Sequence, residues 1–94
     1  MKEAVQQIIE EVNLRVVKNY KKMSVLQLSS ELREAMEFER EIFLKIEELE
    51  KRGAENELIH YAKVVCKNTT GREISEIQEV YLTKIETEYL DSTN

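Results

Sequence analysis

The chain has 94 residues, 14 of them basic and 19 acidic, for a net charge of −5. That length suits one domain with a thin core, and that charge argues against a general nucleic-acid binder, which would carry a basic surface. No run of about 18 apolar residues could span a membrane. The opening Met1-Lys2-Glu3-Ala4-Val5-Gln6-Gln7 lacks a signal peptide's apolar stretch, and Cys66 is the only cysteine, so a cytoplasmic protein without disulfides is expected.

The first helix is predicted over 2–22, with Val5, Ile8, Ile9, Val12, Val16 and Tyr20 on its apolar face. Arg15, Lys18 and Lys22 share a neighbouring face at spacings of three and four. Residues 1–23 carry five basic and three acidic groups, the one basic end of an acidic chain. These cations read either as a solvated face or as a contact with an acidic partner or an anionic membrane surface, the latter a peripheral membrane contact.

Ser24 with Gln27 three residues on is a capping-box pattern that would open a second helix over 24–52; the alternative is a turn near Ser29-Ser30 that leaves Val25, Leu26 and Leu28 in a short packed connector. Leu28, Leu32, Ala35, Ile42, Ile46 and Leu49 trace its core face, widened by Met36, Phe38 and Phe43. Glu39 falls on the core side, so it must pair, reach solvent or act chemically. Lys51 and Arg52 favour the helix end, and Gly53 can take the left-handed cap conformation.

A third helix is predicted over 55–68, with Leu58, Ala62, Val65 and Thr69 in one line beside Ile59 and Cys66. Asn68-Thr69-Thr70-Gly71 should stop it, with Gly71 as the cap. Asn68-Thr69-Thr70 also matches a glycosylation sequon, which has no use in a chain that is not exported. Ser75 with Gln78 then starts a fourth helix over 75–90, lined by Ile77, Tyr81, Ile85 and Tyr89, and residues 91–94 should fray. Short connections make neighbouring helices antiparallel. The expected fold is all-α, an up-down-up-down antiparallel four-helix bundle in a single domain over 1–94.

No catalytic set stands out. Glu57 and His60 resemble one half of a di-metal carboxylate site, but His60 is the only histidine and the other half cannot be built. Cys66 lies on an apolar stripe, where a free thiol behaves as a small hydrophobe. Arg33, Arg40 and Arg52 could bind a carboxylate in a helical mutase, yet that enzyme's long leading helix has no counterpart here. No enzyme, no metal, no cofactor and no nucleic-acid partner is expected, and the oligomeric state is left open. Tyr20 and Tyr81 suit the edge of a core, while Tyr89, near the chain end, is the best contact candidate.

The stretch Glu57-Leu58-Ile59-His60-Tyr61-Ala62-Lys63, then Gly71-Arg72-Glu73-Ile74-Ser75-Glu76-Ile77-Gln78, then Leu82 and Ile85, resembles the immunity proteins of pediocin-like (class IIa) bacteriocins. The resemblance covers residues 32–90. It implies a cytosolic four-helix bundle, found in Gram-positive bacteria, that protects the producer cell. Such a protein acts on a membrane sugar-transporter receptor with bound bacteriocin and blocks the pore. The C-terminal half would set specificity, which points to Arg72, Glu73, Tyr81, Lys84, Tyr89 and Leu90 as partner-binding residues. The rival expectation is a small acidic interaction protein, a phage anti-defence inhibitor or an antitoxin-like regulator. It draws on the eight acidic and three basic residues of 31–50, which would have to form one continuous exposed face.

Overall fold

The computed structural model describes residues 1–15 and 17–90. Three α-helices form, α1 (Lys2–Asn13), α2 (Val25–Lys51) and α3 (Asn56–Ile85). A 3-10 turn, Tyr20–Lys22, precedes α2, and a π turn, Glu86–Leu90, follows α3. The expected Val16 position on the first apolar face and the expected fraying of 91–94 lie outside the described residues.

Both ends of α2 obey local rules. The Gln27 N–H donates to Ser24 Oγ at 3.1 Å and the Ser24 N–H donates to Gln27 Oε1 at 2.8 Å, a complete capping box. At the other end Gly53 has φ of +93°, where a side chain would be strained. The Gly53 N–H donates to the Glu50 carbonyl and the Ala54 N–H to the Leu49 carbonyl, each at 3.1 Å. This is a Schellman motif, and Ala54 and Leu49 both belong to the same core.

The first helix is shorter than its periodicity suggests, ending at Asn13 rather than near residue 22. Tertiary contacts explain the early end. Tyr20 leaves the line of Val5, Ile8 and Val12 and packs with Leu28, Ala35 and Ile77 instead, only 3% exposed. Burying an aromatic ring contributes more than the few helical hydrogen bonds surrendered.

The second correction concerns the expected break at 68–71. Asn68, Thr69, Thr70 and Gly71 all lie inside α3, and so do Ser75 and Gln78, so neither a cap at Gly71 nor a capping box at Ser75 forms. The described residues therefore build three α-helices where four were expected. Interior glycine costs a helix about 1 kcal/mol. Against that, Ile59, Ala62, Cys66, Thr70 and Ile77 are all buried along one continuous stripe. Breaking the helix would sacrifice several side-chain burials worth about 1.5–3 kcal/mol each to save one glycine penalty. Buried Thr70 also fits, because its hydroxyl lies 2.8 Å from the Cys66 carbonyl oxygen and 2.6 Å from Glu39 Oε2. Its single proton is shared between those two acceptors.

The result is a long antiparallel α2–α3 hairpin, with α1 antiparallel to α2 across one half of it. The molecule measures 59 × 19 × 16 Å. Because α1 is short, the core divides in two. The first part joins Val5, Ile8 and Val12 of α1 to Ile42, Ile46, Ile59, Ala62 and Cys66. The second holds Tyr20, Leu28, Ala35 and Ile77, flanked by Met23, Leu32, Ile74, Val80 and Tyr81.

Gly71→Ala tests the continuity of α3. A Cβ at this position meets no atom within 4 Å. The substitution is expected to raise stability by about 0.5–1 kcal/mol in urea unfolding, since it removes unfolded-state freedom without strain. Gly53→Ala should instead lose about 1 kcal/mol or more. A loss at Gly71 matching that at Gly53 would mean that the chain breaks there after all.

Candidate functional site

Where the two cores meet, the chain builds a polar joint. Arg15 Nε donates to Glu73 Oε2 at 2.7 Å and to Oε1 at 3.0 Å. The Tyr20 hydroxyl donates to the same Oε1 at 3.2 Å. The Arg15 guanidinium also sits 4.4 Å from the centroid of the Phe38 ring, in cation–π range. Burial first, then the charge of Glu73 and its hydrogen bond, push the Tyr20 hydroxyl up to about 12. The hydroxyl therefore stays protonated near neutral pH, far from the poise that suits a general acid or base at that pH. A cleft of about 190 Å³ opens beside the joint, lined by Asn13, Arg15, Tyr20, Arg72, Glu73 and Glu76 among others. That is smaller than the few hundred Å³ of an ordinary ligand pocket. The joint pins the segment before α2 onto α3, and its geometry supplies positioning rather than chemistry.

The expected basic face is corrected by this arrangement. Arg15 is half-buried in the joint, and Lys18 Nζ pairs with Glu31 at 3.0 Å, which pushes the Lys18 ammonium up from its ordinary value. Lys22 lies exposed in the 3-10 turn. The three cations are not on one helix, and two of them serve the fold.

The expected partner-binding residues also divide. Glu73 is half-buried and engaged with Arg15 and Tyr20. Tyr81 is half-buried against the second core. Lys84 Nζ donates to the Met23 carbonyl and ties the end of α3 to the start of α2. Arg72, Tyr89 and Leu90 remain exposed. Tyr89 and Leu90 are neighbours in sequence, Arg72 lies well before them, and Leu82, which the expected set omits, is exposed as well. Its signal was available, since it falls off the stripe that contains Ile77 and Ile85.

Glu39 pairs, as one of its three expected outcomes required, with Thr70 and with Lys67 at 3.6 Å. His60 is exposed. Cys66 is fully buried, and burial pushes its thiol up, which leaves little of the reactive thiolate. Among the described residues, no group of three or more His, Cys, Asp or Glu could hold a metal ion, and no helix is long and apolar enough to cross a membrane. Compared with family models, curated proteins and solved structures, the chain matches none. Leu82 near the end of α3 is 58% exposed, and Tyr89 at 58% and Leu90 at 59% are exposed in the π turn that follows, which also carries Glu86 and Glu88. These residues are the candidate contact site.

Proposed function

We propose that this protein acts by binding another protein through the C-terminal end of α3 and the π turn after it, and that it is an immunity protein against a pediocin-like bacteriocin. On this reading it works from the cytoplasm on the bacteriocin-engaged sugar-transporter receptor and performs no catalysis. The supporting observation is the exposure of Leu82, Tyr89 and Leu90 within a nine-residue stretch that also carries Glu86 and Glu88. An aromatic anchor with a charged rim is the usual make-up of a contact hot spot. Arg72 would add a cation on the same helix, while Glu73, Tyr81 and Lys84 would support the surface from within. The fourth helix implied by the family resemblance is not required, because Leu82, Tyr89 and Leu90 are exposed with three α-helices as well.

The acidic-inhibitor reading has less support. Of the carboxylates on α2, Glu31, Glu39, Glu48 and Glu50 are paired with Lys18, Lys67, Arg52 and Lys63. An acidic mimic gains by keeping such groups available to a basic partner.

Expression inside a sensitive Gram-positive cell tests the proposal. Protection is expected against one pediocin-like bacteriocin and not against most others. Tyr89→Ala should reduce that protection by about tenfold or more while leaving the thermal midpoint nearly unchanged. Exchanging residues 72–94 for those of a related protein should move the specificity, provided Glu73, Ile77 and Lys84 are retained for the fold. If a broad panel finds no resistance to any such bacteriocin, the immunity reading is abandoned. Full protection by the Tyr89→Ala protein would place the contact surface elsewhere.

A further inference from the structure

The outer face of α2 carries a pattern that neither the core nor the contact site uses. Leu26, Ser30, Arg33, Glu37, Arg40 and Leu44 recur at alternating spacings of four and three residues, all of them exposed. This is the spacing of the seam that one helix presents to another. It lies about half a turn from the buried stripe of Leu28, Ala35, Ile42 and Ile46. Leu26 is 81% exposed, and Met36, beside the seam, is 52% exposed. Among the described residues, Arg33, Glu37 and Arg40 take part in no ion pair.

The seam reads Leu-Ser-Arg-Glu-Arg-Leu, with a leucine at each end and the oppositely charged Arg33 and Glu37 equidistant from its midpoint. We propose that it is a self-complementary surface on which a second copy of this chain docks, α2 against α2 and antiparallel. In that register Leu26 meets Leu44 of the second copy, Arg33 meets Glu37, and Ser30 meets Arg40, each pair occurring twice by symmetry. Met36 falls beside the two-fold axis and meets its own copy. A shallow groove lined by Ser29, Leu32, Arg33, Met36, Glu37 and Arg40 can receive that side chain. Glu34 also approaches its copy, at the wet rim, where water and salt screen the repulsion. A parallel pairing would instead set Arg33 on Arg33 and Glu37 on Glu37, so charge selects the antiparallel arrangement.

A single helix pair over this length buries less than the roughly 800 Å² per partner of a stable interface. Association is therefore weak, with a dissociation constant on the order of 10–100 μM. Sedimentation velocity from about 10 μM to about 1 mM spans that range. The wild-type protein should shift from monomer to dimer with rising concentration. Arg33→Glu and Glu37→Arg should each remain monomeric, because each sets like charges against one another at both symmetric positions. Helicity should be unchanged in both, since both side chains are exposed. An equimolar mixture of the two variants should dimerise as the wild type does. One ion pair then forms between the introduced groups, and the other between the native Glu37 and Arg33. A wild-type protein that stays monomeric throughout overturns the proposal. So does a single variant that self-associates like wild type, or a mixture that gains nothing over its components.

Discussion

Ile42→Ala and Ile46→Ala are each expected to destabilise the protein by about 2–5 kcal/mol. Both side chains are fully buried in the first core, where α1 meets the hairpin. The loss combines lost transfer energy with the cavity left behind. The cavity should relax poorly, because each site is enclosed by α1 on one side and by Ile59, Ala62 and Cys66 on the other. A domain of this size is stable by about 5–14 kcal/mol in all, so one such change removes a large share. Urea unfolding followed by circular dichroism measures it. A loss well under about 1 kcal/mol at both positions would mean that neither faces the core.

Glu73→Ala is expected to cost about 2–3 kcal/mol. The change strips Arg15, with 19% side-chain exposure, of its carboxylate and leaves the buried Tyr20 hydroxyl without its acceptor. In a Tyr20→Phe background the same change should cost about 1 kcal/mol less, because no hydroxyl is then orphaned. The joint also has a pH signature. Tyr20 is pushed up to about 12 in the folded protein, from an ordinary value of 10.0. Below pH 10 both folded and unfolded chains keep the proton, and its stabilisation is fully present. Between pH 10 and 12 the unfolded chain ionises first, so stability falls as pH rises, by about 2 kcal/mol from this group. Tyr20→Phe should flatten that part of the alkaline limb. A Glu73→Ala protein as stable as wild type would return Glu73 to the contact surface that the sequence suggested for it.

The parts of the fold legible in the sequence are those decided within a few residues. Ser24 and Gln27 announce a capping box, Gly53 announces a left-handed cap, and both form. The stripe of Leu28, Ala35, Ile42 and Ile46 identifies the buried face of α2. The same local logic misled at Ser75 and Gln78, which carry an identical capping pattern inside a continuous helix. A capping pattern only makes a helix start available. Whether the chain uses it depends on what burial would be lost by stopping. The candidate site was legible in the same limited way. Tyr89 stands out in the sequence as a contact residue and is exposed, whereas the inward roles of Glu73 and Lys84 are not legible there.

What the sequence by itself determined is the all-helical class, the two ends of α2 and most of its core face, because capping, glycine conformation and helical period act over one or two turns. Only the tertiary structure decided where α1 stops and that α3 runs unbroken. Those outcomes rest on Arg15 and Tyr20 meeting Glu73, on Lys84 reaching the Met23 carbonyl, and on Cys66, Thr70 and Ile77 staying in one buried line. The contacts to Glu73 and Met23 join groups more than fifty residues apart. Their energies exist only once the hairpin has closed, and no local pattern of residues records them.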